Sequence, residues 1–179
     1  MSCKAEVRKA FLNKRKDLSK ARREEARYRA LKTLLGKLKG FTKVLSFASM
    51  TEEIDLWPLN QELVKEKRLL LPRLTTSTKI LPFAVSSLDH LLLHPSWNVL
   101  EPDPALCSEF LLEKVSAVLV PGIAFDIHCG RLGYGKGHYD RFLAKLSCPF
   151  FGVGFKEQLT KVPLETEAHD IPLTELFLF

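Results

Sequence analysis

A glycine-rich loop follows a nonpolar run in the last third of the chain, within residues 120–143, which read VPGIAFDIHCGRLGYGKGHYDRFL. Four of the nine glycines of the chain lie within eight positions of this loop: Gly130, Gly133, Gly135 and Gly137. Glycine lets the backbone approach a ligand closely, and successive backbone N–H groups can bind an anion. Arg131, Lys136 and Arg141 add positive charge. The segment therefore predicts a binding site for an anionic group.

The spacing of this loop differs from two common phosphate-binding motifs. A P-loop has Ser or Thr after its lysine, whereas Gly137 follows Lys136, and a dinucleotide loop has Gly-x-Gly-x-x-Gly, which the loop does not supply. The physical features that those motifs share are still present, because backbone N–H groups and a helix that begins near Gly137 both favour a phosphate. Arg131 offers a planar fork of donors, and Lys136 offers a compact ammonium that can follow a moving phosphoryl group.

Asp140 comes just after the glycines, in the first turn of the predicted helix. By itself, a carboxylate at this place is explained by its favourable interaction with the helix dipole. Next to a polyphosphate it is suited to bind Mg²⁺, which keeps several waters and takes one or two protein oxygens. Asp126 is a weaker candidate, because a turn residue that bonds to its own backbone explains it better.

Helices and strands alternate along the chain in a pattern that can position these residues. The hydrophobic periodicity and the turn residues predict helices at 4–18, 21–38, from near Pro58 to about 66, and 137–146, and strands at 44–49, 68–71, 80–85, 117–120 and 150–155. We expect Pro72 to end the second strand, Pro82 to interrupt the third, and residues 88–104, with their prolines, to form an irregular connection over the surface.

This alternation predicts an α/β fold: one open, mostly parallel sheet covered by helices on both faces, in a single domain over residues 1–179 with an N-terminal helical segment. Ligands of such sheets bind at the carboxyl ends of the strands. The glycine loop lies at one such end, residues 50–55 follow the first strand, and residues 72–73 follow the second. Three separate parts of the chain are therefore expected to meet in one cleft.

The composition narrows the class of protein. No nonpolar run approaches the roughly 18 to 20 residues of a membrane-spanning helix, and the first twenty residues are rich in Lys and Arg instead of carrying a secretory signal. We therefore expect a soluble, cytoplasmic protein with no membrane partner. The four cysteines are scattered and the five histidines lack metal-ligand spacing, which argues against a disulfide framework and a zinc site.

The net charge of +6 is unevenly distributed. Residues 1–43 contain 15 Lys and Arg against 4 Asp and Glu, whereas residues 44–179 contain 12 against 17. The basic segment is either a solvated helix face or a basic wall above an anionic ligand. A nucleic-acid partner is a third possibility, but the segment has no interleaved aromatic residues and no nucleic-acid-binding motif. The sequence gives no indication of oligomeric state.

The loop, with PGIAFD at 121–126 before it and YDR at 139–141 within it, resembles the signature of the 5-formyltetrahydrofolate cyclo-ligase family, also called 5,10-methenyltetrahydrofolate synthetases. The resemblance extends over nearly the whole chain. Its other matching segments are KAEVR at 4–8, SMTEEID at 49–55, LPR at 71–73, SWNVLEP at 96–102 and HD at 169–170. Where the family commonly has Tyr-Tyr-Asp, this chain has His138 before Tyr139 and Asp140, which leaves substrate preference and pH optimum open.

The resemblance implies a three-layer α/β/α Rossmann-like sandwich and an enzyme that uses ATP and Mg²⁺ to convert 5-formyltetrahydrofolate to 5,10-methenyltetrahydrofolate. It implies catalytic roles for Lys136 and Arg131. It implies ATP contacts by Lys4, Arg8, Arg131, Leu132, Gly133, Tyr134, Gly135, Lys136, Gly137, His138 and Tyr139. It implies folate contacts by Ala48, Met50, Glu53, Trp97 and Tyr139. It implies that Asp140 and Asp170 bind the magnesium.

Simpler explanations exist for some of these residues. Trp97 could cover the core, and Glu53 could be a surface carboxylate near the start of a helix. Two other functions also remain open: an ATP-dependent phosphotransferase that acts on another small acceptor, and a nucleic-acid-binding module led by the basic segment, whose affinity would depend steeply on salt.

Overall fold

Two long helices open the chain, as the sequence predicts. The computed structural model describes residues 4–76 and 79–179. Helix α1 is Lys4–Lys16 and helix α2 is Lys20–Lys37. The side chain of Ser19 caps α2 by accepting a hydrogen bond from the Arg22 N–H at 3.2 Å, which satisfies one of the backbone donors that a helix leaves unpaired at its start.

The other two helices are short. Helix α3 is Trp57–Lys65, with Pro58 in its first turn, where its missing N–H costs nothing. Helix α4 is His138–Leu143, with Gly137 as its N-cap, so it is shorter than the predicted helix at 137–146. Single 3₁₀ turns lie at Leu88–His90, Leu112–Lys114 and Lys156–Gln158. Among the described residues, no helix is both long and nonpolar enough to cross a membrane.

Most of the strands lie between these helices. In chain order they are β1 Val44–Leu45, β2 Leu69–Leu74, β3 Ile80–Ala84, β4 Leu91–Leu93, β5 Leu100–Pro102, β6 Ser108–Glu109, β7 Ala117–Pro121, β8 Ala124–Asp126, β9 Arg131–Leu132, β10 Phe150–Gly154, β11 Leu159–Thr160 and β12 Glu175–Leu178.

Seven of these strands form one sheet in the order β12-β10-β7-β1-β2-β3-β6. The pairs from β12 to β2 are parallel, and β3 and β6 add an antiparallel edge. Val44 of β1 lies opposite both Leu69 of β2 and Ala117 of β7, which places β1 in the middle of the parallel region. The prediction of a mostly parallel sheet is confirmed.

Both faces of the sheet are buried, which explains why β7 is nonpolar at every position. Ala117 and Leu119 pack in a core cluster with residues of α2 and α3, and Val118 and Val120 pack in a second cluster with residues of α4. Successive side chains of a strand point to opposite faces. The result is the predicted arrangement of helices on both sides of a sheet, with a much thinner layer on the α4 side.

Two predictions about prolines were wrong. Pro72 does not end the second strand, because β2 continues to Leu74, and Pro82 lies inside β3 without interrupting it. The two prolines lie opposite each other in the antiparallel pair. Such pairs alternate between positions that exchange N–H···O bonds and positions that do not. Two prolines, which lack an N–H, can face each other at a position that exchanges no N–H···O bonds, so no hydrogen bond between the strands is lost.

The segment at 88–104 is more regular than predicted. Strands β4 and β5 pair in antiparallel register and form a hairpin, residues 91–102, that is separate from the large sheet. It does lie over the surface, with Leu92 and Leu93 exposed. The first strand is shorter than the predicted 44–49, since regular pairing ends at Leu45. A small sheet in the order β11-β8-β9 surrounds the start of the glycine loop and was not predicted.

Candidate active site

A cavity of about 610 Å³ opens at the carboxyl ends of β1, β2 and β7. It is bounded by α1, the hairpin, the glycine loop (residues 130–137) and the C-terminal segment near residue 170. Every residue to which the family resemblance gives a role lines this one cavity: Lys4, Arg8, Ala48, Met50, Glu53, Trp97, Arg131, Leu132, Gly133, Tyr134, Gly135, Lys136, Gly137, His138, Tyr139, Asp140 and Asp170. Gly130 and Arg141, which the loop pattern added to the anion site, lie outside its lining, and Arg141 donates to the Lys136 carbonyl oxygen instead. Their individual roles stay predictions.

The glycine loop takes a conformation that needs glycine at two positions. Gly135 has φ +89° and Gly137 has φ +62°, values that L-residues with side chains rarely adopt. A Cβ atom at Gly135 would also lie 3.3 Å from the Arg8 guanidinium. Among the described residues, the N–H groups of residues 133–137 make no hydrogen bond to a backbone carbonyl. Because α4 is short, the features of the loop that suit an anion are these N–H groups and the neighbouring cations.

Arg131 and Asp140 form an ion pair at the base of the loop. Arg131 Nη2 lies 2.8 Å from Asp140 Oδ1, and the two side chains are 5% and 15% exposed. The guanidinium also lies over the Tyr139 ring, 5.6 Å from its centre. The charge of Arg131 is therefore compensated within the protein, and in this structure the residue fixes the loop against α4.

Lys136 has a different environment. Its Nζ lies 3.6 Å from the centre of the Trp97 ring, a cation–π contact. Among the described residues it forms no ion pair with a carboxylate. Trp97 lies in the turn between β4 and β5, so this contact joins the glycine loop to the hairpin. Lys136 is thus the cation of the loop whose charge is available to a ligand.

Helix α1 supplies two further cations to the cavity. Lys4 Nζ lies 2.5 Å from Glu167 Oε1 and 3.6 Å from Asp170 Oδ2. The hydrogen bond that Lys4 donates to Glu167 is the main cause that raises the pKa of Lys4. Arg8 Nε donates to the Gly133 carbonyl oxygen at 2.8 Å. The first turns of α1 therefore form a basic wall of the cavity, one of the readings that the charge distribution allowed.

Glu53 lies buried at the edge of the cavity beside Tyr134 of the glycine loop, so the reading of a surface carboxylate was wrong. Its Oε2 accepts the Met50 N–H at 3.1 Å, and its Oε1 accepts the Tyr134 hydroxyl at 3.2 Å. Burial raises the pKa of Glu53, although the hydrogen bond from Met50 and the positive charge of Arg15 oppose this rise. A carboxylate held in this way offers paired acceptors to a ligand with paired donors.

Several nonpolar lining residues were not assigned from the sequence. They come from the ends of β2 and β3 and from the hairpin: Pro72, Leu74, Ile80, Val99 and Leu100. Trp97, 39% exposed, completes this wall and does not cover the core. The hairpin is attached beside it, since Glu101 Oε1 accepts the Leu74 N–H at 3.0 Å. Flat aromatic rings are suited to such a surface.

The carboxylates of Asp140 and Asp170 both face the cavity, and their chemistry fits Mg²⁺, which binds one or two protein carboxylates together with waters and phosphate oxygens. Each already contacts a cation, Arg131 and Lys4 respectively. Among the described residues, no group of three or more His, Cys, Asp or Glu could hold a metal ion by itself. Asp126 is the turn residue that the sequence suggests, because it accepts the N–H groups of His128 and Gly130.

A model of the 5-formyltetrahydrofolate cyclo-ligase family matches residues 1–178. The chain belongs to this family. Membership confirms the resemblance noted in the sequence and identifies the chain as an enzyme of the ligase class.

Solved structures of related proteins agree with this membership in the cyclo-ligase family. The NMR structure of the Aquifex aeolicus 5,10-methenyltetrahydrofolate synthetase is 34% identical to the chain with a TM-score of 0.84, covering 97% of this chain and 88% of that one. A synthetase from Mycoplasma pneumoniae, 20% identical with a TM-score of 0.79 over 98% of both chains, supports the fold alone.

Curated cyclo-ligases are similar over shorter stretches. The mouse 5-formyltetrahydrofolate cyclo-ligase is 26% identical over 147 residues, which are 75% of this chain and 71% of that protein. The Escherichia coli 5-formyltetrahydrofolate cyclo-ligase is 32% identical over 108 residues, or 56% of each.

Proposed function

We propose that residues 1–179 act as one cyclo-ligase domain that converts 5-formyltetrahydrofolate and ATP to 5,10-methenyltetrahydrofolate, ADP and phosphate with Mg²⁺. The observation that carries this proposal is the cavity, which is lined by the glycine loop with an available ammonium at Lys136, by a buried carboxylate at Glu53 and by a nonpolar wall. The loop matches a polyphosphate, and the carboxylate and the wall match a flat ring with paired donors.

The chemistry explains why both sides are required. The oxygen of a formamide is a poor leaving group, so transfer of the γ-phosphoryl group to it gives an N5-iminium phosphate. The nearby N10 attacks the iminium carbon and loses its proton as the ring closes, and the C–O bond breaks so that the phosphate leaves with the formyl oxygen. Phosphoryl transfer depends on positioning and on stabilisation of charge, which the loop N–H groups, Lys136, Lys4 and Arg8 can supply.

Arg131 acts in this proposal mainly through the loop. It was predicted to be catalytic, and its ion pair with Asp140 is suited to hold the loop N–H groups and the carboxylate in place before ATP binds. Asp140 and Asp170 would hold Mg²⁺. When bound, the ion would neutralise charge on the phosphate oxygens. Tyr139, whose pKa is raised by burial, stays protonated at neutral pH beside Arg131.

On the folate side, Glu53 would accept the amino and ring N–H groups of the pterin. Met50, Ala48, Trp97 and the wall from β2, β3 and the hairpin would contact the rings. A carboxylate is the acceptor that matches two parallel N–H donors. The substrates are small molecules, and we place the enzyme in the cytoplasm.

The basic N-terminal segment gives little support to a nucleic-acid partner. Many of its cations are turned toward carboxylates or backbone oxygens: Lys4, Arg8, Arg15, Lys20, Arg22, Arg27 and Arg29. Lys4 and Arg8 face the cavity. The segment is therefore better explained as packing and as one wall of the site than as a surface for phosphate backbones.

The test is to mix the purified chain with ATP, Mg²⁺ and 5-formyltetrahydrofolate and to follow the near-ultraviolet absorbance of the methenyl product. We expect turnover that requires all three components and releases one ADP for each product formed. Well-folded protein that hydrolyses ATP or phosphorylates another acceptor but forms no methenyl product would contradict the proposal and favour the phosphotransferase.

A further inference from the structure

Arg15 is almost completely buried, although most residues near it in helix α1 are charged and exposed. Its side chain is 2% exposed. A buried guanidinium needs partners, because removal from water is costly. Its Nη2 donates to the hydroxyl of Tyr134 at 2.9 Å and lies 3.9 Å from Glu52, and its Nη1 is 3.5 Å from the Gly122 carbonyl oxygen.

The direction of the hydrogen bond between Tyr134 and Glu53 follows from which of the neighbouring groups can donate a proton. Arginine can only donate, and a phenol has a single proton. The Tyr134 oxygen accepts from Arg15, so its proton is directed to Glu53 Oε1, 3.2 Å away. Burial is the main cause that raises the pKa of Tyr134 to about 12, and the charge of Glu53 adds to it. Tyr134 therefore remains a donor at neutral pH.

Glu53 receives one hydrogen bond on each oxygen, from Tyr134 on Oε1 and from the Met50 N–H on Oε2. Among the described residues, no further donor bonds to this carboxylate. A carboxylate oxygen can accept two hydrogen bonds. Each oxygen therefore keeps one acceptor position, and Glu53 lines the cavity. Such a pair of acceptors is complementary to an amino group beside a ring N–H.

The charge of Glu53 is also maintained by these neighbours. Burial raises its pKa and would favour the neutral acid, which cannot accept two parallel donors. The hydrogen bond from Met50, the charge of Arg15 and the hydroxyl of Tyr134 oppose this rise, of which burial is the largest cause. Tyr139 also interacts with Glu53 and is neutral at ordinary pH, and the Glu52 carboxylate lies 3.9 Å from Arg15.

We propose that Arg15 and Tyr134 are positioning residues that keep the carboxylate of Glu53 ionised and oriented toward the paired N–H donors of the folate ring. This inference rests on the proposed function. The two residues act through Glu53 and need not contact the folate themselves. The Tyr134 side chain thereby serves the folate side of the cavity, although its backbone belongs to the loop predicted to bind ATP.

The first experiment measures binding of 5-formyltetrahydrofolate to the Tyr134→Phe variant by calorimetry across a range of pH. Loss of a hydrogen bond to a buried charge should raise the Kd by about tenfold at neutral pH. As pH is lowered, affinity should fall at a higher pH than in the parent, because Glu53 accepts its proton sooner. The KM for ATP should change less than the KM for the folate.

Tyr28→Phe is the matched control, since it removes the same hydroxyl from a side chain that is 68% exposed on α2. It should leave the Kd and its pH profile unchanged. Arg15→Lys keeps the positive charge without the planar fork, and its effect should be smaller than that of Arg15→Met. Because Arg15 variants can fail to fold, Tyr134→Phe decides the question.

A second measurement needs no ligand. The carboxyl group of Glu53 is followed by ¹³C NMR in the free protein, with Glu53→Gln used for assignment, and its titration midpoint should move to higher pH in Tyr134→Phe. Unchanged midpoint and unchanged Kd would overturn the inference. A shifted midpoint in a protein that binds no folate would support the coupling of the three residues and contradict the proposed function instead.

Discussion

The two sides of the cavity are held in place by different interactions. On the side of the glycine loop, buried charged groups are paired: Arg131 with Asp140, and Arg15 through Tyr134 with Glu53. The hairpin on the other side has strands of three residues each, which form a separate two-stranded sheet within the described part of the chain. It presents exposed nonpolar side chains such as Leu92 and Leu93.

This difference corresponds to what each side must do. Stabilisation of charge in a reaction is effective only when the dipoles and ions are already oriented, because reorientation costs energy at the moment of reaction. Contact with a flat ring requires only a nonpolar surface. Glu101 and Pro102 are buried against β2, whereas residues 91–100 of the hairpin include no buried residue. A segment with few buried contacts opens more easily, so the tip of the hairpin is suited to admit substrate while the loop stays fixed. Lys136 and Trp97 join the two sides.

The largest effect should come from the cation on the loop side. Lys136→Ala removes the one loop cation that no carboxylate neutralises among the described residues, and we expect kcat to fall by at least about a hundredfold, the usual cost of losing a group that stabilises developing charge. The measurement is the methenyl assay at saturating substrates. The melting temperature should change little, because the side chain rests on an exposed ring and not in a core.

Lys145→Ala is the matched control for this change, since Lys145 is an exposed lysine just beyond α4. It should retain the kcat and the KM values of the parent. An equal loss of activity in both variants would show that general charge, and not the position of Lys136, matters. A Lys136→Ala variant with full activity would remove the loop side from the mechanism.

The second largest effect should come from breaking the ion pair between Arg131 and Asp140. Asp140→Asn leaves the guanidinium of Arg131 buried without its counter-charge, and we expect a loss of about 1–3 kcal/mol in the free energy of unfolding, measured by denaturant titration. The sequence explains Asp140 by the helix dipole or by a bound Mg²⁺. The ion pair with Arg131 adds a structural role, because the carboxylate has a buried partner as well as a place in the cavity.

Exposed Asp89 supplies a control, since Asp89→Asn changes the same group in a 3₁₀ turn before the hairpin. It should cost little stability. If Asp140→Asn is as stable as the parent and the activity is lost, then the loop does not depend on the ion pair and Asp140 acts on the ligand alone.

The sequence reveals which residues belong to the glycine loop, but it does not reveal which distant residues contact them. Gly135, Gly137 and Lys136 lie in one short segment, so their shared role is visible in their spacing. The contacts of Arg15 with Tyr134 and of Tyr134 with Glu53 join residues 119 and 81 positions apart. Arg15 looks like any other cation of a basic helix. Only the packing of α1 against the loop shows that it is buried, so no local pattern could have assigned it.

The strands were also predictable only where a local pattern determines them. The parallel sheet was predictable, because β7 is nonpolar at each position and strands alternate with helices. The continuation of β2 through Pro72 depends on its partner, Pro82, which lies in another strand. The prolines at 95 and 102 predict an irregular segment, whereas Pro102 is the last residue of β5 and pairs with Leu91, which the residue types alone do not indicate.

The smallest effect should come from the hairpin side. Trp97→Ala removes a nonpolar surface and the cation–π contact with Lys136, and we expect the KM for the folate to rise by about tenfold, in line with one or two such contacts, with a melting temperature close to that of the parent. Leu92→Ala shortens an exposed side chain of the same hairpin and should change neither value. A large loss of stability in Trp97→Ala would mean that the hairpin is anchored through its tip. The contrast between a fixed loop and a loosely attached cover would then be wrong, and both sides of the cavity would be rigid before substrate binds.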